Sequence, residues 1–434
     1  MWYASAPMSS VEIVPTLPSD DDLLAAVAAE AETMEALLVR LVEAPTTLGN
    51  EEPGQALLEE AFRDAGLDPV DVPMDADALR AHPLAAPFSW PVEAKRNVVA
   101  TWAGTGGGRS LVLNGHVDVV PPAAESLWTG DPFVARRDGD WLFGLGAGDM
   151  KAGLAAIVGA VGGLRRLGLQ PLGDVLLQSV VEEECGGNGA LQCLLAGHRG
   201  DACVIPEPFP GAVTVSQVGV LWFHVDIAGI PVHVGEAGVG VNAIEAAFPV
   251  VHALRELEAE LNADPPAPYD ELDHPINLNV GVISGGDWPS TVAAECSFSC
   301  RLALYPGQEV EELKARVEAA VAQAAREHPY LSTHPPRVRY DGFAGEGVEV
   351  PADAAIVHAL AAAHERVTGV APHPVASTAT TDARVFVLSG IPAVCCGPRA
   401  ERIHGVDERV HLPSVVTTAQ VLALLVRDWC GVTA

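Results

Sequence analysis

The sequence predicts an α/β protein: a larger domain built on a mostly parallel central sheet flanked by helices, interrupted by a smaller α+β domain. Three observations carry this. Four short apolar runs each end abruptly in polar residues, helical segments separate the runs, and the pattern changes character between about Val213 and Thr333. Alternating short strands and helices imply parallel pairing. At 434 residues the chain also exceeds what one hydrophobic core usually serves.

In chain order, the first helical segment runs from Asp21 to Val42, with Leu23, Leu24, Val27, Met34, Leu37, Leu38 and Leu41 at helical intervals and Ser19 placed to cap it. A second runs from about Glu52 to Ala65 and stops at Gly66. The first strand, Ser110 to Leu113, meets Asn114-Gly115-His116-Val117-Asp118; the second, Val175 to Val181, meets Glu182-Glu183-Glu184. Ala202 to Ile205 meets Pro206-Glu207-Pro208, and Pro392 to Cys396 leads through Gly397-Pro398 toward His404. Helices at Met150 to Leu167, Ala190 to Ala196 and Asp353 to Thr368 lie between. Ligands of such sheets gather at the carboxyl ends of strands, where these polar clusters fall.

In the central stretch Val220 to Ile227 and Asn277 to Val282 alternate, and Glu309 to Glu327 reads as one amphipathic helix. The expected division is 1–212 and 334–434 for the two parts of the larger domain, with the insert over 213–333.

Composition limits the function classes. Hydrophobic residues make up 49% and charged residues 19%, which suits a globular protein rather than a disordered or fibrous one. A formal charge of −32, from 57 acidic against 25 basic residues, argues against nucleic acid or an anionic membrane as partner. Met1 to Ser10 shows no basic stretch followed by an apolar run, and Ala152 to Leu164 reads as too short and glycine-rich to span a bilayer, so a cytoplasmic location is expected. The eight cysteines lack zinc-knuckle spacing and read as buried reduced thiols.

The polar clusters suggest metal chemistry, because zinc favours His nitrogen and carboxylate oxygen. Alone, His116 also fits a structural histidine and Asp149 a helix N-cap. The Glu182-Glu183-Glu184 triplet fits an exposed acidic turn, yet clustered carboxylates after a buried strand repel unless a cation or proton neutralises them. Glycines at 186, 187 and 189 allow a tight turn beyond it.

Together these residues resemble the zinc amidohydrolase family containing acetylornithine deacetylase, succinyl-diaminopimelate desuccinylase, aminoacylase and glutamate carboxypeptidase. Matching text includes Gly115-His116-Val117-Asp118-Val119-Val120-Pro121, Trp128 with Asp131-Pro132-Phe133, and Gly146-Ala147-Gly148-Asp149-Met150-Lys151. It continues through Glu182-Glu183-Glu184, Glu207-Pro208 and His404-Gly405-Val406-Asp407-Glu408. The resemblance implies a zinc-peptidase-like catalytic domain with an inserted ferredoxin-like dimerisation or lid domain. It implies two Zn2+ per chain, replaceable by Co2+ or Mn2+: His116 and Glu207 on one, Glu184 and His404 on the other, Asp149 bridging. Glu183 becomes the general base and Asp118 the residue that orients His116. His233, in Gly229-Ile230-Pro231-Val232-His233, is implied to reach a neighbouring subunit's site in a homodimer, although on its own it reads as a loop histidine. Asn242 and Arg301 are implied to bind substrate, the arginine through a carboxylate, although a solvated or salt-bridged arginine fits as well.

The sequence departs from the family at Gly144-Leu145-Gly146, usually Gly-Arg-Gly, at Glu182, usually Asp, at Ala152, and at Ser290-Thr291-Val292-Ala293. The expected activity is hydrolysis of an N-acyl amino acid in the manner of acetylornithine deacetylase, because Gly286-Asp287-Trp288-Pro289-Ser290 and Tyr340-Asp341-Gly342-Phe343 resemble that branch. A carboxypeptidase or dipeptidase acting on short peptides is the alternative, and an inactive metal-binding scaffold is the reading that an intact Glu183 opposes.

Overall fold

The computed structural model describes residues 17–434, so Met1 to Ser10 lie outside the described residues. Two sheets have separate hydrophobic cores. In the larger, nine-stranded sheet the four strands Val175–Val180, Leu111–His116, Cys203–Ile205 and Ala393–Cys395 lie side by side and parallel. Outside them, Arg96–Trp102 and Pro69–Pro73 pair antiparallel on one flank. Ala212–Gln217 begins the other flank, antiparallel to Ala393–Cys395 and Val348–Glu349 and parallel to His373–Ser377. Every residue of Leu111–His116 and Val175–Val180 is buried, as expected of strands covered on both faces. The sheet is therefore mixed, with its parallel strands grouped at the centre.

The helical segment expected from Asp21 to Val42 is two helices, Asp20–Ala28 and Ala31–Glu43. The chain turns at Ala29 and Glu30, where the Ala29 and Glu30 N–H groups bond back to Ala25 and Val27. Neither glycine nor proline marks that break, so apolar spacing alone runs through it. Ser19 caps the first helix in a capping box with Asp22. Both helices pack on Ala152–Arg166, where a Cβ on Gly159 would fall 2.2 Å from Met34 Sδ and one on Gly163 2.5 Å from a Val27 methyl. Glycine at these positions permits the close approach.

The expected helix Met150 to Leu167 begins with an irregular turn, Ala147–Lys151, before regular helix at Ala152–Arg166. Together they make 20 residues long and apolar enough to cross a membrane by length and composition, which corrects the expectation that the segment is too short. Its apolar window is 89% buried inside the protein, against the two N-terminal helices and Leu412–Cys430. Core packing accounts for its apolarity.

The second sheet orders Leu278–Gly285, Glu295–Leu304, Gly219–Ala228 and Arg337–Arg339, all antiparallel. With helices Ala243–Leu261 and Val310–Glu327 the chain order is β-α-β-β-α-β, the ferredoxin-like arrangement. Strand membership differs from the expected borders. Ala212–Gln217 belongs to the large sheet, while Arg337–Arg339 and Ala344–Gly345 pair with Gly219–Ala228 in the small one. Val213 to Gln217 and Gly219 to Ile227 are apolar strands in near-direct succession, so composition does not mark where one sheet hands over to the other.

Candidate metal centre

Adjacent parallel strands deliver the first candidate ligands. His116 ends Leu111–His116 directly beside Val180, Glu182 to Glu184 follow that neighbour, and Glu207 lies two residues beyond Cys203–Ile205. The other two arrive on irregular backbone: Asp149 in the turn Ala147–Lys151, and His404, with φ of +57°, in the loop between Ala400–Glu401 and Arg409–His411.

Asp149 stands between the histidines. One of its oxygens is 3.0 Å from His116 Nε2 and the other 3.4 Å from His404 Nε2. Around His116 Nε2, Glu207 Oε1 is at 3.6 Å and Glu183 Oε2 at 3.9 Å. Glu184 Oε1 is 3.0 Å from His404 Nε2. Ligand atoms of His116, Asp149 and Glu184 all lie within 4.8 Å of one another, a spacing one cation can span.

The electrostatics fit a cation. Burial opposes a charged His116, yet Asp149, Glu183, Glu207 and Asp118 raise its pKa well above the usual imidazole value. Burial likewise opposes charge on His404, and Asp149 and Glu184 outweigh it, to about 11. Burial and neighbouring carboxylates push Glu183 and Glu207 well above the carboxylate range. Asp149 is lowered, against its burial, by hydrogen bonds to both histidines. More buried acid is gathered here than two imidazoles neutralise, and its donor atoms are those divalent zinc prefers.

A second layer holds these groups. The His116 Nδ1 proton goes to the Asp118 main-chain carbonyl, 2.9 Å away. The Asp118 carboxylate, 3.8 Å from that nitrogen, accepts the Glu183 and Glu184 N–H groups at 3.4 and 3.1 Å. Asp118 thus touches both His116 and the acidic turn, its carbonyl toward the ring and its carboxylate toward the Glu183 and Glu184 N–H groups. Glu408, to which the sequence reading gave no role, accepts N–H groups from Gly146, Gly148 and Asp149 at 3.0, 2.8 and 3.0 Å. Burial and the nearby Asp149 raise its pKa to about 7, against those three bonds. Asp382, also missed, is buried with neither carboxylate oxygen hydrogen-bonded among the described residues, and burial lifts its pKa to about 6.

Three further candidates lie with the second sheet. His233 is exposed, its Nδ1 accepting the Gly235 N–H at 3.1 Å; among the described residues no hydrogen bond or ion pair joins it to the cluster. Asn242 is the N-cap of Ala243–Leu261, its side-chain oxygen accepting the Ile244 N–H at 3.0 Å. Arg301 reaches across to the Thr378 carbonyl of the first sheet's side, 3.1 Å away, and pairs with no carboxylate among the described residues. Burial lowers its pKa. All eight cysteines are buried free thiols outside the cluster.

Residues 112–428, which include every ligand candidate, match the profile of Peptidase family M20/M25/M40. The chain is 30% identical over 359 residues to N-formyl-4-amino-5-aminomethyl-2-methylpyrimidine deformylase of Halalkalibacterium halodurans, covering 77% of this chain and 83% of that one. It is 28% identical over 344 residues to succinyl-diaminopimelate desuccinylase of Dinoroseobacter shibae, covering 77% and 87%. Its fold matches a di-peptidase from Saccharomyces cerevisiae with a TM-score of 0.76 at 15% identity, over 95% of this chain and 98% of that one.

Proposed function

The chain belongs to Peptidase family M20/M25/M40 and is a hydrolase of amide bonds, and we propose that it is a di-zinc deacylase that releases a free amino acid from an N-acyl amino acid. The carrying observation is Asp149 with one carboxylate oxygen toward each histidine, at 3.0 and 3.4 Å. In this reading His116 and Glu207 hold one Zn2+, His404 and Glu184 the other, and Asp149 both; Co2+ or Mn2+ can substitute. Bound there, the ions would lower the pKa of a water and polarise the amide carbonyl.

The chain's own residues carry the rest. Glu183 is buried beside His116, outside the proposed ligand set, and its carboxylate takes the proton of the attacking water and hands it to the departing nitrogen. Arg301 is a largely buried guanidinium with a backbone carbonyl as partner, suited to a substrate carboxylate. That favours an amino-acid product over the pyrimidine amide named for the relative from Halalkalibacterium halodurans. The dipeptidase or carboxypeptidase reading shares this feature and remains the alternative. Asn242 would keep its amide N–H groups for substrate while its oxygen caps the helix.

We further propose a cytoplasmic homodimer in which His233 serves the partner's site, donating to the oxyanion. Strand Leu278–Gly285 is an edge strand, and Val282, Ile283 and nearby Phe248 and Trp288 are 63%, 53%, 60% and 68% exposed. Apolar side chains on an unpaired edge suit a second copy. Sedimentation tests this, and a fully active monomer would remove the role of His233.

The activity test sets N-acetyl, N-succinyl, N-formyl and longer N-acyl amino acids beside dipeptides and the N-formyl aminomethylpyrimidine. Free amino acid from at least one acyl substrate is expected, and cleavage confined to dipeptides or to the pyrimidine would reverse the assignment. Glu183→Gln should lower kcat by roughly 10²–10⁴-fold with metal content unchanged. Undiminished turnover in that variant would remove Glu183 as the base.

A further inference from the structure

Glu182, the first residue of the acidic turn, stands apart from its two neighbours. Among the described residues no hydrogen bond or ion pair joins it to either histidine; its side chain is fully buried, and its φ is +64°, in the left-handed region that residues with a side chain rarely adopt. Such a conformation persists only where the surroundings over-determine it. Both ends of the residue are tethered. Its carbonyl accepts the Gly186 and Gly187 N–H groups at 3.0 and 2.7 Å. Its carboxylate Oε1 accepts Trp90 Nε1 at 2.7 Å and Lys95 Nζ at 2.7 Å.

Lys95 is in turn shared with Glu51 Oε1 at 2.8 Å, and Glu51 accepts the Gly49 N–H at 2.9 Å. This network is buried and lies behind the turn. The next two residues of the chain are Glu183 and Glu184, whose N–H groups are taken up by Asp118. With Glu182 locked behind and Asp118 in front, the backbone between them has one arrangement. The Trp90 loop also fastens to the turn between the second sheet's strands Arg337–Arg339 and Ala344–Gly345: the Pro87 carbonyl accepts the Gly342 N–H at 2.7 Å, and the Ser89 hydroxyl bonds Asp341.

We infer that Trp90 and Lys95 are positioning residues that act through Glu182 to aim the Glu183 carboxylate. This rests on the reading of Glu183 as the general base. The geometry predicts what a simple folding staple does not. Removing the indole donor alters turnover of the folded, metal-loaded enzyme, and its effect vanishes once the Glu182 carboxylate is gone.

Trp90→Phe keeps an aromatic ring and deletes the N–H; Glu182→Met removes the acceptor along with the charge; the double variant closes the cycle. On the metal-loaded protein, with an N-acyl substrate that the wild type cleaves, Trp90→Phe should lower kcat roughly tenfold, as expected for a hydrogen bond to a charged group. KM should stay within about twofold and metal content unchanged, the mark of an interaction used in the transition state. The double variant should be no slower than Glu182→Met alone. Lys95→Met leaves two buried carboxylates without their cation, so Trp90→Phe carries the test. Unchanged kcat in Trp90→Phe, losses that add in the double variant, or an effect seen only in melting temperature would each overturn the inference. Glu183→Gln, run alongside, separates the two levels. If it is inactive while Trp90→Phe is unaffected, only the positioning role fails; if it is fully active, both fail.

Discussion

The two ends of the proposed metal centre draw on the same residue types on different supports. At one end His116 closes one parallel strand and Glu207 follows two residues past its neighbour, with the His116 side chain 1% exposed. At the other, Glu184 and His404 stand on a turn and a loop, with the His404 side chain 48% exposed. Sheet hydrogen bonds fix the first end before any ligand is considered. The second depends on local contacts: Asp118 on the Glu184 N–H, and a left-handed residue at His404 itself. Folding and metal binding are therefore separable demands, met in different proportions at the two ends.

The contrast breaks or holds on stability of the metal-free protein. His116→Ala removes the cationic partner of partly buried Asp149 and of buried Glu183 and Glu207. We expect a loss of about 3 kcal/mol, the lower end for one member of a buried ion pair, because Glu183 and Glu207 take up protons readily. His404→Ala removes a half-exposed partner and should cost under about 1 kcal/mol. Chemical denaturation of both variants checks this, and the reverse order would mean that the strands do not carry the buried end.

Glu408→Gln sharpens the comparison, because Glu408 serves the junction rather than either end. One carboxylate oxygen accepts Gly148 and Asp149 N–H and the other Gly146 N–H, and an amide nitrogen cannot replace the second acceptor. Metal affinity should fall about 10–100-fold, as for other groups that orient a metal ligand. Titration with zinc should show both ions weakened. Loss of one ion alone would place Asp149 with a single metal.

The same contrast explains what the sequence made legible. Leu111–His116, Val175–Val180 and Cys203–Ile205 announced themselves as apolar runs ending in His116, Glu183 and Glu207, because a buried parallel strand must be apolar until it reaches the site. His404 and Asp149 sit on irregular backbone with no such period, and only the resemblance assigned them. The Glu408 carboxylate bonds main-chain N–H groups and Asp118 uses its main-chain carbonyl, pairings that side-chain spacing does not encode. The turn at Ala29 and Glu30 and the handover between sheets near Val218 follow from tertiary packing, with no breaker residue to mark them.

The turn-borne end has its own ionic support, and pH separates it from the strand-borne end. Burial works against a charged Lys95, but Glu182 and Glu51 outweigh it and raise its pKa above the usual 10.5. A base raised on folding contributes stability that is fully present below its unfolded pKa, about 10.4, and lost as pH rises through the higher folded value. The stability difference between the wild type and Lys95→Met should therefore stay constant from pH 8 to about 10 and shrink only beyond that. Denaturation curves at unit intervals of pH measure it. A difference that already shrinks between pH 8 and 9 would mean that Lys95 loses its proton in the folded protein near neutrality. The Glu182 turn would then be held by Trp90 and the backbone alone, and the two ends of the centre would differ only in exposure.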